Sequence, residues 1–243
     1  MFLVPRETPG IEIARPTRYM GESLDAIDHS LVRYTDVRVG ADGMLGGPGQ
    51  GFEVAQTRLS GGRIHHAMRA IGQAQYAFDM ACERVLSRVT RGKRLADQQL
   101  VQQAITDCYL QIEQFRLFVM RTAWRIDQGQ GYTHEVRRDI AAAKVLSSRV
   151  HHDVVNRAMH LHGALGVSNE MPFDGMWQQA PAYGIWDGPT EVHTITTARL
   201  ILRDHQPAPG DLPTQWVPGR LEAARAKYVQ ALEAEAKEAA VPA

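Results

Sequence analysis

The residues Trp186-Asp187-Gly188-Pro189-Thr190-Glu191-Val192-His193 place one carboxylate on a tight Gly-Pro turn at the mouth of a predicted helix. Pro189 suits the first helical position, Asp187 and Gly188 form the turn before it, and Val192, Ile195, Ala198 and Ile201 continue as an apolar stripe. A carboxylate held there is fixed in space and faces the positive end of the helix dipole, as a general base requires. An ordinary helix cap has the same composition, and on spacing alone the cap is the commoner outcome.

Other groupings carry less chemistry. The cluster Gly46-Gly47-Pro48-Gly49-Gln50-Gly51 lies between a strand and a helix, but Phe52 occupies the third glycine position of a dinucleotide fingerprint, so a hinge is the simpler reading. The pairs His65-His66, His151-His152 and His160/His162 lack a carboxylate–histidine signature, and adjacent histidines on a helix point about 100° apart. No metal site is expected from them. There is no G-x-S-x-G elbow, and Cys82 and Cys108 have no catalytic setting.

The elements that must position these residues follow from composition and period. The chain has 243 residues, enough for a sizeable core in one or two domains, and 27 basic residues balance 27 acidic ones. No global charge draws it to nucleic acid or an anionic membrane. No apolar run reaches spanning length, the apolar start before Arg6 is too short for a signal peptide, and two cysteines fit a reducing compartment, so a cytoplasmic location is expected. Residues 11–14 and 30–39 have strand character, separated by Pro16 and a polar stretch over 21–28. About three such strands leave an edge and a face uncovered, so residues 1–50 are expected to be part of a β-domain.

From Phe52 the period becomes helical. Helices are predicted over 52–88, over 97–128 ending at Gly129 and Gly131, from Ile140 to Leu161 ending at Gly163, and after Asp187. The expected fold is mainly α: an antiparallel four-helix bundle over 51–203, preceded by the partial β-domain. Residues 204–243 are expected to form a Pro-rich linker and a helical tail over 220–240 with little apolar surface.

Four motifs then occur in order: Arg63; Ser87-Arg88-Val89-Thr90-Arg91-Gly92-Lys93-Arg94-Leu95 leading to Gln98-Gln99; His160-Leu161-His162-Gly163-Ala164-Leu165-Gly166-Val167; and Trp186-Asp187-Gly188. This order resembles the C-terminal half of the acyl-CoA dehydrogenase family, with its R-x-x-F-G-x-x-L-x-x-x-Q, Q-x-x-G-G-x-G and Y-E-G-T forms. Residues 31–45 resemble the end of the family's β-domain, and the resemblance covers residues 1 to about 203. The Asp-Gly-Pro-x-Glu-Val-His form resembles a branch whose animal members include proteins fused to a kinase-like domain.

The resemblance implies FAD held between a β-domain and the bundle, with a neighbouring subunit's bundle contacting the ADP part. Positions matching cofactor contacts are Arg88, Thr90, Gln99, His160, Gly163, Ala164, Pro189 and Glu191; Arg63, Trp186 and Gly188 match the substrate side. The implied reaction is α,β-dehydrogenation of an acyl-CoA thioester, with an electron-transfer flavoprotein as acceptor. The α-proton base aligns with Asp187, while the position from which some members supply a glutamate is Gly62. Aspartate reaches one methylene less far than glutamate; Pro189 replaces a threonine, Arg91 an aromatic, His160 a glutamine and Ala164 a glycine. The family's N-terminal half is expected from a longer chain or a separate partner, alongside a homo-oligomer (dimer or tetramer). Nitroalkane oxidase, a related flavoprotein, also uses an aspartate, so oxidation of another carbon acid is the alternative activity. A non-catalytic interaction subunit of a dehydrogenase complex is a third reading.

Overall fold

The computed structural model describes residues 1–20, 29–130 and 133–239. The expected polar break over 21–28 and Gly131 lie outside the described residues. The chain divides into two compact units, Met1–Leu200 and Ile201–Ala243.

In the first unit, β1 (Ile11–Thr17) and β2 (His29–Tyr34) pair antiparallel, with a register shift between Ile13 and Arg15. β2 stops short of the predicted limit at Val39, and Asp36 beyond it has a left-handed φ of 50°, which ends extended backbone. Among the described residues of 1–50, a single bridge between Phe2 and Met44 stands in place of a third strand, flanked by 2.8 Å bonds from Leu3 N to Gly43 O and from Leu45 N to Met1 O. Ile13 and Leu31 stay exposed, as in a sheet lacking its covering layer.

The mainly helical fold agrees with the hydrophobic period. α1 (Gly51–Ser87), α2 (Gln99–Arg125) and α3 (His134–His162) pack on one another, and α1 against α3 is the most extensive helix contact. Ala67, Ala70, Ala74, Ala77 and Ala81 line the buried face of α1, and such short side chains let a neighbouring backbone approach closely. Gly129 (φ 69°) follows α2 and Gly163 (φ 65°) follows α3, the left-handed positions where glycine ends a helix. At the α2–α3 junction, Asp139 on α3 accepts from Arg125 at 2.6 Å, Arg121 at 3.2 Å and Arg138 at 3.4 Å. That multiply paired carboxylate is 3% exposed.

Three features depart from the sequence reading. Between α1 and α2, Val89–Thr90 (β3) and Lys93–Arg94 (β4) form a small hairpin. Its two-residue turn has Arg91 at φ 50° and Gly92 at φ 75°, the sign needed at both turn positions to match strand twist. A further helix, α4 (Phe173–Tyr183), packs on α3. Gly175, Pro181 and Gly184 hide it from a breaker count, although Phe173, Met176, Ala180 and Tyr183 recur at helical spacing and are buried. Finally, α5 (Thr190–Leu202) starts after Pro189, whose carbonyl accepts from His193 N at 3.2 Å. The expected apolar stripe of Val192, Ile195, Ala198 and Ile201 is exposed, and His193 and Leu200 are buried instead.

In the second unit, α6 (Val217–Ala239) begins ahead of the predicted start at Arg220 and leaves Leu221, Tyr228 and Leu232 exposed. No described helix is long and apolar enough to cross a membrane.

Lys144 of α3 is 1% exposed, and its Nζ donates to the carbonyl of Tyr183 at the end of α4. Burial brings its ammonium from near 10.5 down to about 8, against the opposing pull of Asp187. Between these values the unfolded chain binds the proton and the folded chain does not, so stability rises with pH across that window. Denaturant midpoints of the wild type relative to Lys144→Met should therefore climb from pH 8 to 10.5. Parallel curves would show that Lys144 keeps its ordinary basicity in the fold.

Candidate functional site

The turn between α4 and α5 is built from its own backbone. Gly184 N donates to Pro181 O and Trp186 N to Ala182 O, both at 2.9 Å, and Thr190 N closes the loop on Gly184 O at 2.8 Å. Asp187 and Gly188 then take successive positive φ values of 55° and 113°. Aspartate is among the few side chains that tolerate the first. At Gly188 a Cβ would lie 2.8 Å from His193 Nε2, so glycine also makes room for that ring.

Side chains from other helices hold this backbone. Arg63 Nε of α1 donates to Asp187 O at 2.9 Å, and His193 Nε2 of α5 lies 3.2 Å from the same oxygen. Burial lowers the His193 pKa, opposed by its bond to the Asp187 backbone. The carboxylate turns back toward α1. Its Oδ2 lies 3.4 Å from His66 Nε2 and its Oδ1 3.9 Å from Arg58 Nη1, with the side chain 13% exposed. A Cβ on Gly62 would collide with Oδ2, so the carboxylate occupies the space that any other residue at 62 would claim.

Trp186 closes the cluster. His66 stacks on it at 5.2 Å, Tyr183 meets it edge-on at 5.3 Å, and the Arg69 guanidinium lies over its face at 5.8 Å. Arg63, Trp186 and Gly188, expected on the substrate side, thus surround Asp187. Missing from the sequence reading are Lys144, His66 and His193 as neighbours of the carboxylate turn. The i, i+4 and i, i+3 relations of Gly62, His66 and Arg69 on α1 were the available signal.

A second site lies between the end of α1, the β3–β4 hairpin and the end of α3. A cleft of about 380 Å³ there is bordered by Arg84, Arg88, Thr90, His160, Gly163 and Ala164, among others. Five of these are sequence-predicted cofactor positions; Arg84 is the addition. No carboxylate lines the cleft, and Arg84 Nε is a buried donor without a hydrogen-bond partner among the described residues. Guanidinium donors of this kind suit a phosphate or pyrophosphate. Below it, Gly166 is buried, and a Cβ there would collide with the Met159 carbonyl. Gln99, at the start of α2, is exposed and does not line this cleft; Pro189 and the exposed Glu191 sit beside Asp187 instead. The donor set of the cleft therefore fits the anionic part of a dinucleotide, while the other site presents a nearly buried carboxylate.

Comparison with known proteins bears on the family and the fold. The family model "Acyl-CoA dehydrogenase, C-terminal domain" matches residues 49–202. The chain is 44% identical over 202 residues to "Probable acyl-CoA dehydrogenase FadE2" of Mycobacterium tuberculosis, covering 83% of this chain and 49% of that protein. It is 40% identical over 206 residues to acyl-CoA dehydrogenase family member 11 of Gallus gallus, covering 84% of this chain and 26% of that one. The solved structure of butyryl-CoA dehydrogenase from Megasphaera elsdenii superposes with a TM-score of 0.73 at 32% identity, covering 83% of this chain and 51% of that chain. The chain thus spans about half the length of the first of these relatives and about a quarter of the second. It belongs to the acyl-CoA dehydrogenase family and corresponds to the family's C-terminal helical domain.

Proposed function

We propose that the chain is the C-terminal portion of an FAD-dependent acyl-CoA dehydrogenase that removes two hydrogens from the α and β carbons of an acyl-CoA thioester, with Asp187 as the α-proton base. One observation carries this reading. Asp187 Oδ2 occupies the space beside Gly62, the position from which other members are expected to supply a glutamate. Two alternative origins of a base thus converge on one point, and Gly62 leaves it to Asp187. Arg63 and His193, by holding the Asp187 carbonyl, set where the carboxylate stands, and positioning within an ångström governs proton abstraction. Trp186, with Arg63 and Gly188, forms the wall on the substrate side.

When bound, FAD supplies the acceptor for the β hydrogen, taken as hydride at N5. Arg84, Arg88 and Thr90 would meet its pyrophosphate, with His160 and the backbone at Gly163 and Ala164 alongside and Gln99 further out. Pro189 and Glu191 would approach a flavin from the Asp187 side. The two groups sit at separate places on the chain, which supports a homo-oligomer, dimer or tetramer, in which neighbouring subunits complete each other's cofactor sites. Residues 1–50 are the end of a middle β-domain, 51–203 the helical domain and 204–243 a linker and tail; the N-terminal half comes from the same or a partner chain. An electron-transfer flavoprotein is the expected electron acceptor, in a cytoplasmic setting. Aspartate in place of glutamate favours one second reading, oxidation of a different carbon acid such as a nitroalkane.

In the flavin-loaded enzyme containing this chain, Asp187→Asn should slow flavin reduction by acyl-CoA at least about a thousandfold while flavin stays bound, read by stopped-flow bleaching of the flavin band. Undiminished reduction would remove Asp187 from the mechanism; reduction by nitroalkanes but not acyl-CoA would favour the second reading. Gly62→Ala should slow the same step by about a hundredfold with unchanged flavin content, because the new methyl displaces the carboxylate. Arg88→Glu should instead weaken FAD retention by tenfold or more, on the order expected for losing a charge-assisted bond and adding repulsion, measured by flavin release on dilution. Full retention would exclude the cleft beside Arg88 as the pyrophosphate site.

A further inference from the structure

An unsatisfied oxygen of Asp187 faces the ring of His66. Asp187 Oδ2 is buried without a hydrogen-bond partner among the described residues, and His66 Nε2 is the ring nitrogen beside it at 3.4 Å. Nδ1 on the far edge of the same ring is also buried and unpartnered. Buried polar atoms are satisfied in nearly all proteins, so a buried carboxylate oxygen left open with an imidazole nitrogen 3.4 Å away points to a working bond that tightens. Hydrogen bonds at such sites are often long before substrate arrives.

The ring cannot easily turn away. It stacks on Trp186 with an interplanar angle of 26°, and Tyr183 meets it edge-on at 6.4 Å. His66 also comes from the same face of α1 as Gly62, one turn away, so the glycine that admits the carboxylate and the imidazole that faces it belong to one surface. Of the charged and titratable groups facing the ring, Lys144 on α3 and Arg69 and His65 on α1 oppose a positive imidazole, as burial does most strongly; Asp187 alone favours it. The balance is a neutral ring with its pKa below the usual histidine value.

We propose that His66 is a positioning residue for Asp187: a neutral imidazole that donates Nε2–H to Oδ2, fixes the aim of the carboxylate and leaves Oδ1 to receive the proton. The proposal rests on the reading of Asp187 as the base. It also accounts for an aspartate serving where a glutamate reaches one methylene further, because a short side chain clamped at one oxygen has less freedom to miss. His66 does not touch the reacting carbon; it acts through Asp187.

Two measurements test it, and they fail separately. In the full chain, the His66 ring titration followed by NMR should move down by about one pH unit in Asp187→Asn, because removing a facing carboxylate disfavours the imidazolium. An unmoved titration overturns the pairing whether or not the enzyme is active. In the flavin-loaded enzyme, His66→Phe keeps an aromatic ring on Trp186 but has no donor, whereas His66→Gln carries an amide N–H near the Nε2 position. His66→Phe should lower the rate of flavin reduction by acyl-CoA by about tenfold or more at saturating substrate, with the half-saturating concentration little changed. His66→Gln should recover most of the rate and the wild-type pH profile. The reverse order, or two variants equal to wild type, would reduce His66 to a packing residue. Should the wild type itself fail to reduce flavin with acyl-CoA, the dehydrogenase reading falls, while the imidazole titration still decides the pairing.

Discussion

The backbone carbonyls of the turn between α4 and α5 are held by side chains from three other places in the fold. Lys144 of α3 reaches Tyr183 O, and Arg63 of α1 and His193 of α5 reach Asp187 O. A non-glycine residue at a left-handed φ costs about 1–2 kcal/mol, while a hydrogen bond from a charged donor contributes about 1.5–3 kcal/mol. The strained turn is therefore sustained by the bundle around it. The bundle comes first and the position of Asp187 is its consequence.

The buried ammonium of Lys144 follows the same logic. A lone charge in such a place is strongly disfavoured, and burial depresses its basicity, but the Tyr183 carbonyl and the nearby Asp187 carboxylate partly offset that penalty. Asp139 repeats the solution with the signs reversed, one buried carboxylate held by Arg121, Arg125 and Arg138. In both cases the ion secures a helix end. α3 thus carries two charged clamps only five residues apart, Lys144 under the Asp187 turn and Asp139 at the α2–α3 junction.

The cleft beside Arg88 is built by different means. Its walls depend on chain reversals: the Arg91-Gly92 turn of the hairpin and the left-handed Gly163 after α3. Backbone reversals bring peptide groups to a surface where a bulky side chain would keep them apart, and the guanidinium groups of Arg84 and Arg88 add charge. One region thus presents guanidinium groups beside chain reversals, and the other a nearly buried carboxylate among aromatic rings and basic groups.

Much of this was legible from local pattern. The three- and four-residue spacing along α1, α2 and α3 marked the helices because an amphipathic face repeats with the helical turn. The Asp-Gly-Pro turn marked where a carboxylate could be displayed, and the order of the motifs tied it to Arg63. Local pattern misled where breakers and burial disagreed: Gly175 and Pro181 concealed α4, and the apolar stripe on α5 proved to be its exposed face. It was silent where meaning arises across distance. Arg63 and Asp187 are 124 residues apart, and nothing within either segment distinguishes a carboxylate that caps its own helix from one that turns back toward another. His66 looked like half of an unremarkable histidine pair, and Lys144 like one more residue of an amphipathic helix. By itself the sequence determined the helices, the glycine and proline turns and the chemical types on offer, because these depend on neighbours along the chain. The tertiary structure alone decided that Gly62, His66, Lys144 and His193 surround the Asp187 turn, because contact, burial and lost hydration exist only once distant segments pack.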